Sequence, residues 1–106
     1  MTDLSDRAIS EKLATILGYE LDGYGYPIKY KGNDIVYIHP ITDKIQFSYK
    51  NKAIFAECVI ELGLKGFGFC YDEDGEVWGV HDGIAFLEYD KDAFKAVALA
   101  RIKVNE

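Results

Sequence analysis

The chain has 106 residues, 49% of them apolar, with 15 aromatic rings and a formal net charge of −6. This is enough apolar material for one core and too little length for two, so a single domain over residues 1–106 is expected, and disordered or low-complexity classes are excluded. No apolar run approaches the ~20 residues of a membrane span, and no signal peptide with a basic start and apolar centre precedes the first predicted helix, so the expectation is a soluble protein in a reducing cytosol.

Ser5 is a good N-cap, because its hydroxyl can accept from a free N–H of the first helical turn. Ile9, Leu13, Ile16 and Leu17 recur on one helical face and Gly18 stands where a left-handed stop belongs, so the spacing predicts a helix over 6–17. Tyr19 to Tyr26 is rich in Gly and Tyr without a helical period, which predicts an irregular or extended connection ending at Pro27. The runs Ile28-Lys29-Tyr30 and Ile35-Val36-Tyr37-Ile38 flank the turn formers Lys31-Gly32-Asn33-Asp34 and read as a β-hairpin, stopped by Pro40. Ile45, Phe47 and Tyr49 alternate as a strand would.

Asn51 can cap a second helix, whose Ile54, Phe55, Cys58, Val59 and Leu62 form one buried stripe. Gly63 is its expected end, with Leu64 packing back as the apolar contact of a Schellman stop. Three β-prone runs follow, Phe67 to Tyr71, Glu76 to Val80 and Ile84 to Tyr89, separated by segments containing Asp74-Gly75 and Asp82-Gly83. Asp-Gly supplies the positive φ angles of tight hairpins, which argues for an antiparallel meander. Asp90 then caps a last helix from Lys91 to about Ile102, with Phe94, Val97, Ala98 and Ile102 inward. The expected class is α+β, in the order helix, β-hairpin, helix, three-stranded meander, helix, with the helices on one face of an antiparallel sheet.

The acids are unevenly spread. From Gly66 to Asp92 the chain carries Asp72, Glu73, Asp74, Glu76, Asp82, Glu88, Asp90 and Asp92 against Lys91 alone, a local charge of −7 that leaves +1 for the rest. Charge gathered in this way acts on association rather than on fold. A calcium loop starting at Asp72 fails on spacing, since Val77 stands where the turn glycine is needed and Gly83 where the closing glutamate is needed. A solvated hairpin tip that resists edge aggregation, or one that meets a partner, is the better reading.

Other chemistry is thin. His39 and His81 are the only imidazoles, and His81 beside Asp82 does not make a dyad, because strand neighbours point to opposite faces. His39, His81, Cys58 and Cys70 lack the close-paired spacing of a zinc site, and both cysteines read as buried thiols acting as small hydrophobes. Gly66-Phe67-Gly68 opens no helix that would hold phosphate, so Gly68 and Gly79 read as bulges or close backbone approaches. Tyr19, Tyr24, Tyr26 and Tyr30 could stack bases, but Lys29, Lys31, Lys44, Lys50, Lys52 and Lys65 stand against Asp34, Asp43, Glu57 and Glu61, leaving only +2, too little for a nucleic-acid groove. Trp78 reads as a core residue of the middle meander strand, with the anchor of a binding face as its second role.

Leu4-Ser5-Asp6, Ile9, Lys12-Leu13-Ala14 and Leu17-Gly18 resemble the opening of the NinX-like family of small tailed-bacteriophage proteins. A looser similarity continues through His39-Pro40-Ile41-Thr42-Asp43, the following helix, Trp78 and Asp92-Ala93-Phe94-Lys95-Ala96-Val97. The resemblance implies a phage or prophage product made in the host bacterial cytoplasm, and it carries over no catalytic residue. Phages use small acidic proteins against host defences, including restriction and CRISPR systems, and this analogy is one of class only.

These readings converge on a non-enzymatic binding protein without cofactor or metal. Asp72, Glu73, Asp74 and Glu76 would meet a basic surface on a protein partner, such as a nucleic-acid-binding host enzyme, and Tyr71 and Trp78 would supply buried area. Two alternatives stand beside it: a small enzyme or ligand-binding domain using His81, Asp82 or Cys70, and a homodimer or larger homo-oligomer joined through meander edges.

Overall fold

Helix α1 (Asp6–Leu17) begins where Ser5 Oγ accepts the Ala8 N–H at 3.1 Å, and it ends at Gly18 (φ +92), whose N–H donates to the Ala14 and Thr15 carbonyls. Ile9, Leu13 and Leu17 of its expected stripe are buried, Ile16 is half-buried, and Ala14 is buried beside them. This computed structural model describes residues 5–34 and 46–105. Two compact units divide the chain, Met1–Ser48 and Tyr49–Glu106.

In the first unit, β1 (Tyr19–Leu21), β2 (Pro27–Tyr30) and β3 (Asn33–Asp34) form a three-stranded antiparallel sheet. Of the irregular or extended connection expected after α1, the first part is extended: Tyr19 pairs with Tyr30 and Glu20 with Lys29. The two rings of that first pair lie 4.6 Å apart, and Phe47 adds a third ring 5.1 Å from Tyr19. Cross-strand aromatic packing therefore decides a conformation that the Gly and Tyr composition left open. Asp22 closes the β1–β2 turn: its Oδ1 accepts the N–H groups of Tyr24 and Tyr26, and its own N–H donates to the Tyr26 carbonyl.

The turn after β2 is tighter than expected. Only Lys31 (φ +51) and Gly32 (φ +83) form it, and Asn33 and Asp34 already belong to β3. Two central residues at positive φ match the twist of the flanking strands, which explains the two-residue loop. The expected strand Ile35–Ile38, with His39, Pro40 and Ile45, lies outside the described residues. Residues 46–48 carry no strand, although the Phe47 N–H donates to the Gly25 carbonyl at 2.8 Å.

In the second unit, Asn51 caps α2 (Lys52–Leu64), its Oδ1 accepting from Ala53 and Ile54. The helix runs through Gly63, so the expected stop there is corrected. Gly66 takes the left-handed position (φ +93), the Gly66 N–H donates to the Gly63 carbonyl and the Phe67 N–H to the Leu62 carbonyl, which together make a Schellman stop. Phe67 thus takes the place assigned to Leu64, which is 84% exposed.

The meander follows as β4 (Gly68–Asp72), β5 (Val77–His81) and β6 (Phe86–Asp90), each displaced slightly toward the C-terminus from its predicted run. Asp92, not Asp90, caps α3 (Ala93–Val104), accepting from Phe94 and Lys95, while Asp90 Oδ1 accepts the Asp92 N–H one turn earlier. The class is α+β as expected, but the described residues form two three-stranded sheets in place of one.

Between α2 and α3 the core contains an ion pair, Arg101 Nε donating to Glu61 Oε2 at 2.6 Å. Arg101 is buried and its guanidinium Nη1 has no hydrogen-bond partner. Desolvating a charge with an incomplete partner set offsets most of what the pair contributes.

Two predictions follow from these elements. Chemical denaturation should show Gly66→Ala destabilising by about 1 kcal/mol, since the left-handed backbone penalises a Cβ, whereas Gly63→Ala, in an exposed helix interior with open space around it, should stabilise by roughly 0.5–1 kcal/mol. Arg101→Met should be neutral or stabilising in the same assay, while Glu61→Ala, which strands the guanidinium, should cost about 1–3 kcal/mol.

Candidate binding surface on the meander

Strand alternation sorts the meander's side chains. Phe69 pairs with Val80 and Tyr71 with Trp78, so these four share one face. Phe69 stacks on Trp78 (centroids 5.2 Å, 14° between planes) and meets Phe55 of α2 edge-on at 5.6 Å, while Phe55 meets Phe94 of α3 at 4.8 Å. Both helices therefore cover this face through one aromatic cluster. Trp78 is half-buried within it, and Tyr71, tilted against Trp78 at 5.0 Å, forms its rim and is 46% exposed. Trp78, expected in the core, thus packs one side of its ring on Phe69 and backs an exposed tyrosine.

The β4–β5 turn comprises Glu73, Asp74, Gly75 and Glu76, closed by the Asp72–Val77 pair. Asp72 is half-buried and its Oδ1 accepts the Asp74 N–H at 3.1 Å, whereas Glu73, Asp74 and Glu76 are exposed. The expectation that the Asp-Gly dipeptide supplies the positive φ is corrected, because Glu76 (φ +54) adopts it and Gly75 does not. Among the described residues no lysine or arginine pairs with these four acids.

Register also decides where the remaining acids go. Trp78 pairs with Asp90, which places Asp90 at the same end of the sheet as the β4–β5 turn, and Asp92 follows it into the cap of α3. Asp82 lies at the opposite end, in the β5–β6 turn, and Glu88 sits 3.7 Å from Lys103. Six of the eight acids are thus gathered at one end, with the expected site residues Asp72, Glu73, Asp74, Glu76, Tyr71 and Trp78 all at that end.

His81 and Asp82 bond to different backbone groups of the β5–β6 turn. Asp82 Oδ1 accepts the N–H groups of Ile84 (2.9 Å) and Ala85 (3.0 Å), and His81 Nδ1 accepts that of Gly83 (3.1 Å). Those backbone donors, from Ala85 first and Ile84 second, hold the Asp82 carboxyl below the usual aspartate range. No group of three or more His, Cys, Asp or Glu side chains converges as metal ligands among the described residues, and no helix among them is long and apolar enough to cross a membrane.

The cysteines part company. Cys58 is buried as expected, and burial, only partly offset by the nearby Arg101, pushes its thiol up to about 12. Cys70 is half-buried on the other face of the sheet, beside His81 and Phe86. His81 and Cys70, named together in the alternative reading, thus line one cavity, and Phe86, which the sequence reading missed, joins them through the register: Gly68 pairs with His81 and His81 with Phe86. Comparison with protein-family models, curated proteins and solved structures finds no match.

A carboxyl NMR titration should place the Asp82 midpoint below that of an ordinary aspartate. Because the native group is the more acidic one, its contribution to the β5–β6 turn is present above the unfolded aspartate value and fades as pH falls through the depressed native value. Asp82→Asn should abolish that pH dependence.

Proposed function

We propose that the protein is a small acidic binding protein whose β4–β5 turn docks on a basic surface of a protein partner and blocks or modulates it. The single observation that carries this reading is the segregation of charge: the exposed Glu73, Asp74 and Glu76, with Asp72 beside them, stand without cationic partners among the described residues, next to the exposed ring of Tyr71. Unpaired carboxylates on a protruding turn steer a cationic surface during diffusion, and an aromatic rim backed by a packed tryptophan supplies area that closes out water. Carboxylates at this turn also compete for surfaces that bind nucleic-acid phosphate, which fits a host nucleic-acid-binding enzyme as target.

The resemblance to NinX-like phage proteins extends the proposal to origin and place: a phage or prophage product acting in the host bacterial cytoplasm, within reach of restriction or CRISPR machinery. This part rests on that resemblance alone. The action proposed is occlusion without a chemical step.

Affinity capture from infected or lysogenic bacterial lysate, read by mass spectrometry, should return a reproducible partner with a basic surface. With that partner in hand, reversing Asp72, Glu73, Asp74 and Glu76 to lysine should lower the association rate by ten-fold or more at low salt, roughly the range electrostatic steering spans, and Tyr71→Ala should mainly speed dissociation. A partner bound equally fast by the reversed variant would sink the reading.

A further inference from the structure

The meander has two edge strands, and they are not alike. β6 carries a guard: Lys103 Nζ donates to the Leu87 carbonyl at 3.3 Å and lies 3.7 Å from Glu88 Oε1, so a lysine lies against this strand and one acceptor of its backbone is already taken. β4 pairs with β5 on one side only, and alternate residues of such a strand turn their N–H and C=O groups outward. Among the described residues nothing bonds to those outer groups. The strand itself, Gly68-Phe69-Cys70-Tyr71-Asp72, contains neither proline nor lysine, the residues that commonly close an edge.

One side of this edge is apolar. α2 packs over β4 through Phe55 on Phe69, while α3 covers β5 and β6. Residues two apart on a helix point in nearly opposite directions, so Glu61, which faces α3 through its bond with Arg101, places Val59 on the flank of α2 away from α3. Val59 is half-buried one turn on from Phe55, and Tyr71 stands exposed on the same face of the sheet. A strand added to β4 would meet both side chains. At the C-terminal end of β4 it would pass Asp72, Glu73, Asp74 and Glu76, which have no lysine or arginine partner among the described residues. Unpaired backbone, apolar cover and unpaired negative charge thus call for one kind of occupant.

We propose that β4 receives an extended segment of the protein partner as an added antiparallel strand, with alternate apolar side chains beneath α2 and lysines or arginines of its N-terminal part beside the β4–β5 turn. In antiparallel pairing the start of the segment meets the end of β4, which fixes where its cations belong. Main-chain bonds to β4 supply affinity, and the acids with the α2 flank select the sequence. This mode of binding rests on the reading of the β4–β5 turn as a docking surface and adds to it the backbone edge alongside.

The probe is a capped synthetic peptide, Lys-Arg-Lys-Val-Thr-Val-Thr-Val, titrated into the folded full-length chain at low salt by calorimetry and located by amide hydrogen exchange. Binding should slow exchange at alternate residues of β4 and leave β6 unchanged. Two versions of equal charge, N-methylated at two valines in one and at the two threonines in the other, separate backbone from charge. One should lose roughly ten-fold or more in affinity, the worth of two hydrogen bonds, and the other should bind as the parent does. Reversing the exposed Glu73, Asp74 and Glu76 to lysine should also weaken the parent peptide, and added salt on the unaltered chain gives the same readout if that variant fails to fold. No binding by the parent, or equal binding by both methylated versions, would overturn the strand addition, the second result leaving charge docking at the turn intact. Discrimination between the methylated versions without any effect of reversal or salt would overturn the basic occupant and the reading of the turn together.

Discussion

Phe69 is the side chain on which the second unit depends. One of its ring faces stacks on Trp78 and its edge meets Phe55, which in turn meets Phe94, so a single residue of an edge strand ties the middle strand to both helices. Dispersion between well-packed rings holds these elements in one register, and a slip of one residue in β4 would send Phe69 and Tyr71 to the opposite face together. The place of Tyr71 at the rim is therefore a consequence of where Phe69 must be. The candidate binding surface inherits its geometry from the core.

Register also turns a charge-rich sequence into a polarised object. The acids between Gly66 and Asp92 look uniform as a string, yet their carboxylates are put to different uses. Asp82, Asp90 and Asp92 accept backbone N–H groups and shape a turn or a helix start, and Glu88 lies near Lys103. A carboxylate already satisfied by backbone donors contributes to fold, while one surrounded by water contributes to the outward field. Glu73, Asp74 and Glu76 belong to the second kind, so the field is concentrated in fewer residues than the composition suggests.

Where local signals acted alone, the sequence was readable. Ser5 and Asn51 cap the helices they were expected to cap, and the stop of α1 at Gly18 and three of its four expected stripe residues, Ile9, Leu13 and Leu17, are found as predicted. Errors arise where two candidates competed and a longer-range contact chose between them. Gly63 and Gly66 both suit a helix stop, and the one that lets Phe67 follow as the apolar partner wins. Asp90 and Asp92 both suit a cap, and the length of β6 decides. For Tyr19 to Leu21 the composition allows irregular or extended backbone, and the rings of Tyr30 and Phe47 select the strand. Tyr71 and Trp78 could be named as a pair from the strand pattern, whereas Cys70, His81 and Phe86 come together only once both registers are known.

The length of β5 has a consequence of its own. From Val77 to His81 the strand advances by four residues, about 13 Å, which exceeds the Debye length of about 8 Å at physiological ionic strength. Counter-ions therefore mask the potential of the β4–β5 turn before it reaches the β5–β6 turn at the far end. A cationic surface drawn by charge is therefore guided to the end of the sheet that carries the β4–β5 turn and not to the opposite one.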